Sequence, residues 1–103
     1  MTSLFEVTDN DDILALQPRL TDDDPGVRRI ALIELADLEE PDGLLWLVNR
    51  LATDPTEEVR TEAARLLEAW EDESVVEALC QALTDPSLAV QSVAAQSVKR
   101  KSC

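Results

Sequence analysis

Histidine and tyrosine are absent from this 103-residue chain, which holds only two glycines, two cysteines and three aromatic residues. Without histidine, no serine or cysteine has the usual base beside it. Without cysteines at ligand spacing, zinc and haem sites lose their donors. Gly26 and Gly43 stand alone, so no glycine-rich phosphate loop is present. Carboxylates are plentiful but fall in turns read as exposed, where nothing would raise a pKa. The expectation is a chain with no catalytic residue, cofactor or metal, and hence not an enzyme.

Other absences narrow the setting. No run of about 18 apolar residues occurs, so no membrane span is expected. The start, Met1–Glu6, has neither a basic nor a long apolar region, and a signal peptide is not supported. Two cysteines cannot build a disulfide framework, which makes a cytoplasmic protein the expectation. Cys80 falls on an apolar helix face and reads as a buried reduced thiol. Cys103 is the last residue, with a redox or dimer-linking role as the alternative to idleness.

Basic residues are scarce: nine against 22 acids, for a net charge of −13. Three of the nine are Lys99, Arg100 and Lys101, so residues 1–98 carry a net −16. That field repels phosphate backbones and argues against a nucleic-acid partner. Solubility is the plain account of it, and adaptation to salt is another.

What is present is a repeat. Thr21–Asp22, Thr53–Asp54 and Thr84–Asp85 open three segments that align without gaps. Each places valine six residues after the threonine (Val27, Val59, Val90) and alanine four later (Ala31, Ala63, Ala94). An aliphatic follows four later again, at Leu35, Leu67 and Val98. A second series precedes each segment: Ile13, Leu16 and Leu20; Leu44, Leu47 and Leu51; Val76, Leu79 and Leu83. Apolar positions at i, i+3 and i+7 make one stripe of an amphipathic helix. Asp11, Asp42 and Ser74 stand just before these stripes and suit N-caps. The reading is all-α, with helices at 11–20, 25–38, 42–52, 55–70, 74–83 and 86–100. Pro41, Pro55 and Pro86 fit helix starts, whereas Pro18 should kink or shorten the first helix.

The run Asp54–Pro55–Thr56–Glu57–Glu58–Val59–Arg60–Thr61–Glu62–Ala63, within a unit of about 31 residues, resembles the short HEAT-like repeats of the phycobilin-lyase type. The resemblance covers residues 11–101 and departs at Asp23, where the other copies have proline, and at Gln91, where they have arginine. It implies a short right-handed alpha-solenoid of about three helix pairs, the second helix of each lining a concave face. It also implies that Arg28 and Arg60 pair with acids of adjacent repeats, forming a ladder. Residues 1–10 are then an extension or cap, with Leu4, Phe5 and Val7 folding over the start, and residues 11–103 the repeat domain. Both terminal repeats are read as halves. Val90, Val93, Ala94 and Val98, mixed with Gln91, Gln96 and Ser97, look like a modest cap on the far end.

On the 42–52 helix, Leu44, Leu47, Val48 and Leu51 share one side, and Trp46 falls nearly opposite at 100° per residue. Ala15 and Ala78 are its equivalents in the other units. The expected concave row is Ala15, Trp46 and Ala78, edged by Arg19, Asn49, Arg50 and Gln81. An outward tryptophan with arginine neighbours has the composition of a binding hot spot. Trp70, equivalent to Leu38, reads as core or inter-repeat packing. Acids gather in the turns at Glu39–Asp42 and Glu71–Glu73, and at Asp22–Asp24, either as a solvated surface or as a rim steering a basic partner.

The expected function is a non-catalytic protein-binding module, an adaptor or accessory subunit gripping a partner with a basic or mixed-charge surface. It would be a monomer or weak homodimer that binds neither nucleic acid nor membrane. The resemblance adds an alternative, an accessory subunit of bilin attachment or removal. A structural, self-associating subunit is the third reading.

Overall fold

Helix starts are fixed by side chains that meet the unpaired amides of the first turn. In the computed structural model, which describes residues 10–101, six helices follow one another. They are α1 (Asp11–Leu20), α2 (Pro25–Asp37), α3 (Pro41–Thr53), α4 (Glu57–Leu67), α5 (Glu73–Ala82) and α6 (Leu88–Lys101). Asn10 caps α1 by accepting from Asp12 N and Ile13 N, Asp24 caps α2 through Gly26 N, and Asp72 caps α5 through Ser74 N. The cap positions expected at Asp11, Asp42 and Ser74 are therefore corrected. Asp11 and Ser74 lie within the first turn, and α3 starts from Glu40 with no side-chain cap. Pro41 at N1 fixes the backbone of α3 instead.

The fourth helix is shorter than the expected 55–70. Asp54 Oδ1 accepts from Thr56 N at 2.9 Å, which holds Pro55 in a turn ahead of the helix. Asp85 does the same to Ser87 N at 2.8 Å, so α6 begins at Leu88 rather than 86. Pro18 sits inside α1, which still runs to Leu20. Only two residues follow the proline, so the shortening expected there does not occur.

The helices form two layers. α2 packs on α4 and α4 on α6 in one layer; α3 packs on α5 in the other. Across the layers the closest partnerships are α1 with α2, α3 with α4 and α5 with α6. The described residues thus divide into three whole pairs, not two pairs flanked by halves. With principal extents of 34 × 28 × 27 Å, the stack is nearly as wide as it is long. Leu4, Phe5 and Val7, and the tail cysteine Cys103, lie outside the described residues.

The core is the stripe the repeat supplies. Ile13, Leu20, Leu32, Leu35, Leu47, Leu67 and Leu79 are fully buried, each worth roughly 1.5–3 kcal/mol of transfer free energy. Two helices bury a different arc from the one expected. On α3 the buried residues are Gly43, Leu44, Trp46, Leu47 and Leu51. They span about 160° at 100° per residue, with Trp46 at one edge. Trp46 is 2% exposed, so its expected outward position is corrected. The physical reason lies at Gly43, where a Cβ would stand 3.2 Å from Leu35 Cγ. The missing side chain lets α2 press against that side of α3, which turns the indole inward and leaves Val48 half-buried.

On α5 the buried residues are Val75, Leu79 and Ala82, not Val76 and Leu83. Among the described helices α5 has a layer neighbour, α3, on one side, and the residues on its other side stay partly open, Leu83 at 37%. Cys80 shares that open side and is half-buried. Its sulfur is disulfide-bonded, which corrects the reduced, buried thiol expected there. No helix among the described residues is long and apolar enough to cross a membrane.

Successive pairs are tied by the arginine ladder. Arg28 donates Nε and Nη2 to Asp54 at 3.0 and 3.1 Å, and Nη1 to the carbonyls of Asp22 and Asp23. Arg60 repeats the fork one pair later, on Asp85 at 3.0 and 3.3 Å and on the Asp54 carbonyl at 2.8 Å. Gln91 keeps only the carbonyl bond, to Asp85 at 2.6 Å. A neutral amide suits that last position, because the described chain offers no following aspartate for a guanidinium to pair with. The hydrogen bond to Asp54 holds the Arg28 pKa above its ordinary value against the opposing pull of burial.

Candidate partner-binding site

The turn of α3 that buries Trp46 also decides which residues face α5. Val48, Leu51 and Ala52 look across at Ala78, Gln81 and Ala82, and the small side chains on α5 leave a groove of about 660 Å³ between the helices. Leu51 and Ala82, 3% and 7% exposed, form an apolar floor. Ser74 stands toward one end, while Thr84, Asp85 and Pro86 close the other. Glu77 is exposed along the side, and no lysine or arginine lines the groove.

The polar edge is held firmly. Arg60 and Ser87 N fix Asp85, as above. Ser74 donates both its amide and its hydroxyl to Asp72 Oδ1, at 2.9 and 2.6 Å. Those bonds, the hydroxyl's first, hold the Asp72 carboxyl below its ordinary range. Such an arrangement offers apolar contact flanked by fixed hydrogen-bonding groups, which suits a segment of another polypeptide. Among the described residues, no group of carboxylates and cysteines could hold a metal ion.

Of the residues expected to bind a partner, Gln81 lines this groove, together with Ala78. The others are committed elsewhere. Arg50 lies 6.0 Å from the centroid of the Trp46 ring. It donates to Asn49 Oδ1 at 3.2 and 2.7 Å and approaches Asp54 at 3.6 Å. Trp46, Asn49 and Arg50 therefore form one cluster, with Arg50 lying over the ring and bonded to Asn49. Arg19 is bidentate to Glu34 at 3.0 and 2.6 Å on the surface. That contact raises the Arg19 pKa and lowers the Glu34 one. Residues passed over in the sequence are Val48, taken for core, Ser74, taken for a cap, and Glu77 and Pro86. The signal that could have found the groove is the Ala78–Ala82 pair, two small residues one turn apart.

Comparison with known families agrees with this architecture. A family model of HEAT repeats matches the chain twice, over residues 6–68 and 44–100. The chain belongs to the HEAT-repeat family. The match is to HEAT repeats as a class and does not single out the phycobilin-lyase type. No curated protein matches it significantly.

Proposed function

We propose that this chain is a non-catalytic protein-interaction module that receives a segment of a partner protein in the α3–α5 groove. The observation that carries the reading is the groove itself: an apolar floor of Leu51 and Ala82 bordered by Glu77, Gln81 and Asp85, with no basic side chain in its lining. HEAT repeats generally serve as interaction modules, which agrees with that use. A partner surface with basic or mixed charge suits the groove's acids and the overall charge of −13.

The test is affinity capture from the native cell with the unaltered chain and with Ala78→Arg, which fills the groove from its edge. Circular dichroism confirms that both retain the same helix content. A partner recovered by the first and lost by the second supports the groove. Equal recovery by both overturns it.

A further inference from the structure

In the other layer, α2 and α4 end side by side, and a second cleft of about 520 Å³ opens between their last turns. Ala36, Leu66, Ala69 and the half-buried Trp70 supply its apolar lining, and Asp37, Glu39 and Glu71 its acids. Asp37 and Glu39 make no ion pair among the described residues. Glu71 is 89% exposed and meets only Lys101, at 3.6 Å. Arg65 is the one lining cation, and its guanidinium is drawn to Glu62 at 3.2 Å. The lining shares no residue with the α3–α5 groove.

An indole beside the carboxylates of Asp37 and Glu39, which pair with no cation among the described residues, is a place for a cation with an apolar stem. The ring's negative face attracts the charge, the alanines and Leu66 cover the methylenes, and a carboxylate takes the donors. A planar guanidinium meets these demands better than a compact ammonium, because it stacks on the ring and bonds a carboxylate through two donors at once. We propose that the Trp70 cleft binds an arginine side chain presented by a basic segment of a partner protein. The site goes beyond the groove reading and does not rest on it.

The test is an NMR titration of the full chain with a blocked peptide, acetyl-Gly-Arg-Ser-Arg-Gly-amide, beside its lysine counterpart. Shifts are expected at the Trp70 indole and at the Ala36 and Ala69 methyls, with the lysine peptide weaker. Trp70→Leu should weaken binding about fivefold. Asp37→Asn with Glu39→Gln should weaken it about tenfold. Glu57→Gln with Glu58→Gln removes the same charge at the opposite end of α4, about 15 Å along its axis from the cleft, and should change it by less than about twofold. The carboxylate pair keeps the test decisive if Trp70→Leu fails to fold. Absent binding, shifts spread over the acidic surface, or equal loss in the control pair would each overturn the proposal. Shifts confined to Ala78 and Gln81 would also overturn it while leaving the groove reading intact.

Discussion

Trp46 and Trp70 are the same side chain in two surroundings. Trp46 lies mid-helix in α3, 2% exposed, with Arg50 over its ring and Leu44 and Leu47 beside it in the core cluster. Trp70 comes three residues after α4 ends; one side packs on the core, and the other lines a surface cleft. The difference follows from position in the stack. Trp46 lies within a helix that packs on α2, α4 and α5 and buries a wide arc, whereas Trp70 follows the end of α4, where the turn covers only part of what it carries. The large aromatic in the middle therefore builds the stack, and the one at the edge is left free to meet something else.

The strongest way to break this comparison is to truncate each ring. Trp46→Ala should cost about 3–5 kcal/mol, the range for deleting a buried aromatic. Trp70→Ala should cost about half as much, since part of its surface is already wet. Denaturant unfolding followed by circular dichroism checks both. Equal losses would abolish the contrast.

The ladder sharpens the same gradient. The Arg28–Asp54 pair has side-chain exposures of 8% and 0%, against 14% and 10% for Arg60–Asp85. Removing one member of a buried pair leaves the other's charge uncompensated, so Arg28→Ala should cost about 3 kcal/mol or more. Arg60→Ala should cost less, because water reaches Asp85 more readily. Thermal unfolding of the two variants ranks them, and a larger loss for Arg60→Ala contradicts the gradient.

A smaller effect is expected where burial brings no partner. Ser97 is fully buried on α6, and among the described residues its hydroxyl has no hydrogen-bond partner. Ser97→Ala should therefore stabilise by up to about 1 kcal/mol, read as a raised unfolding midpoint.

The smallest effect is that of pH on the exposed carboxylates. Glu34 and Asp72 have folded pKa values below their ordinary 4.5 and 3.8, through Arg19 and through Ser74 respectively. A lowered folded pKa gives stability that is present above the ordinary value and is lost as pH falls through the folded one. Glu34→Gln should thus lower the unfolding midpoint slightly at pH 7 and leave it unchanged near pH 2.

The helices were legible because the Thr-Asp starts and aliphatic stripes recur in register, and five of the six begin and end within two residues of expectation. The ladder followed from the family resemblance, and Gln91 departs from it by keeping only the carbonyl bond. The candidate site was harder to read. Periodicity treats Gly43 as a blank, yet its missing side chain sets which way α3 faces. Turning α3 exchanges Trp46 for Val48 on the open side, and a stripe drawn through Leu44 and Leu51 cannot distinguish those orientations. Asp72, not Ser74, caps α5, because its charged carboxylate accepts from both the amide and the hydroxyl of Ser74.

Acrylamide quenching of tryptophan fluorescence in Trp46→Phe and Trp70→Phe, each retaining one indole, tests the central assignment most directly. A neutral quencher avoids the chain's own charge. The variant retaining Trp70 should be quenched several-fold more steeply than the one retaining Trp46. Equal slopes, or a steeper one for Trp46, would contradict the buried position of Trp46 on the inner side of α3.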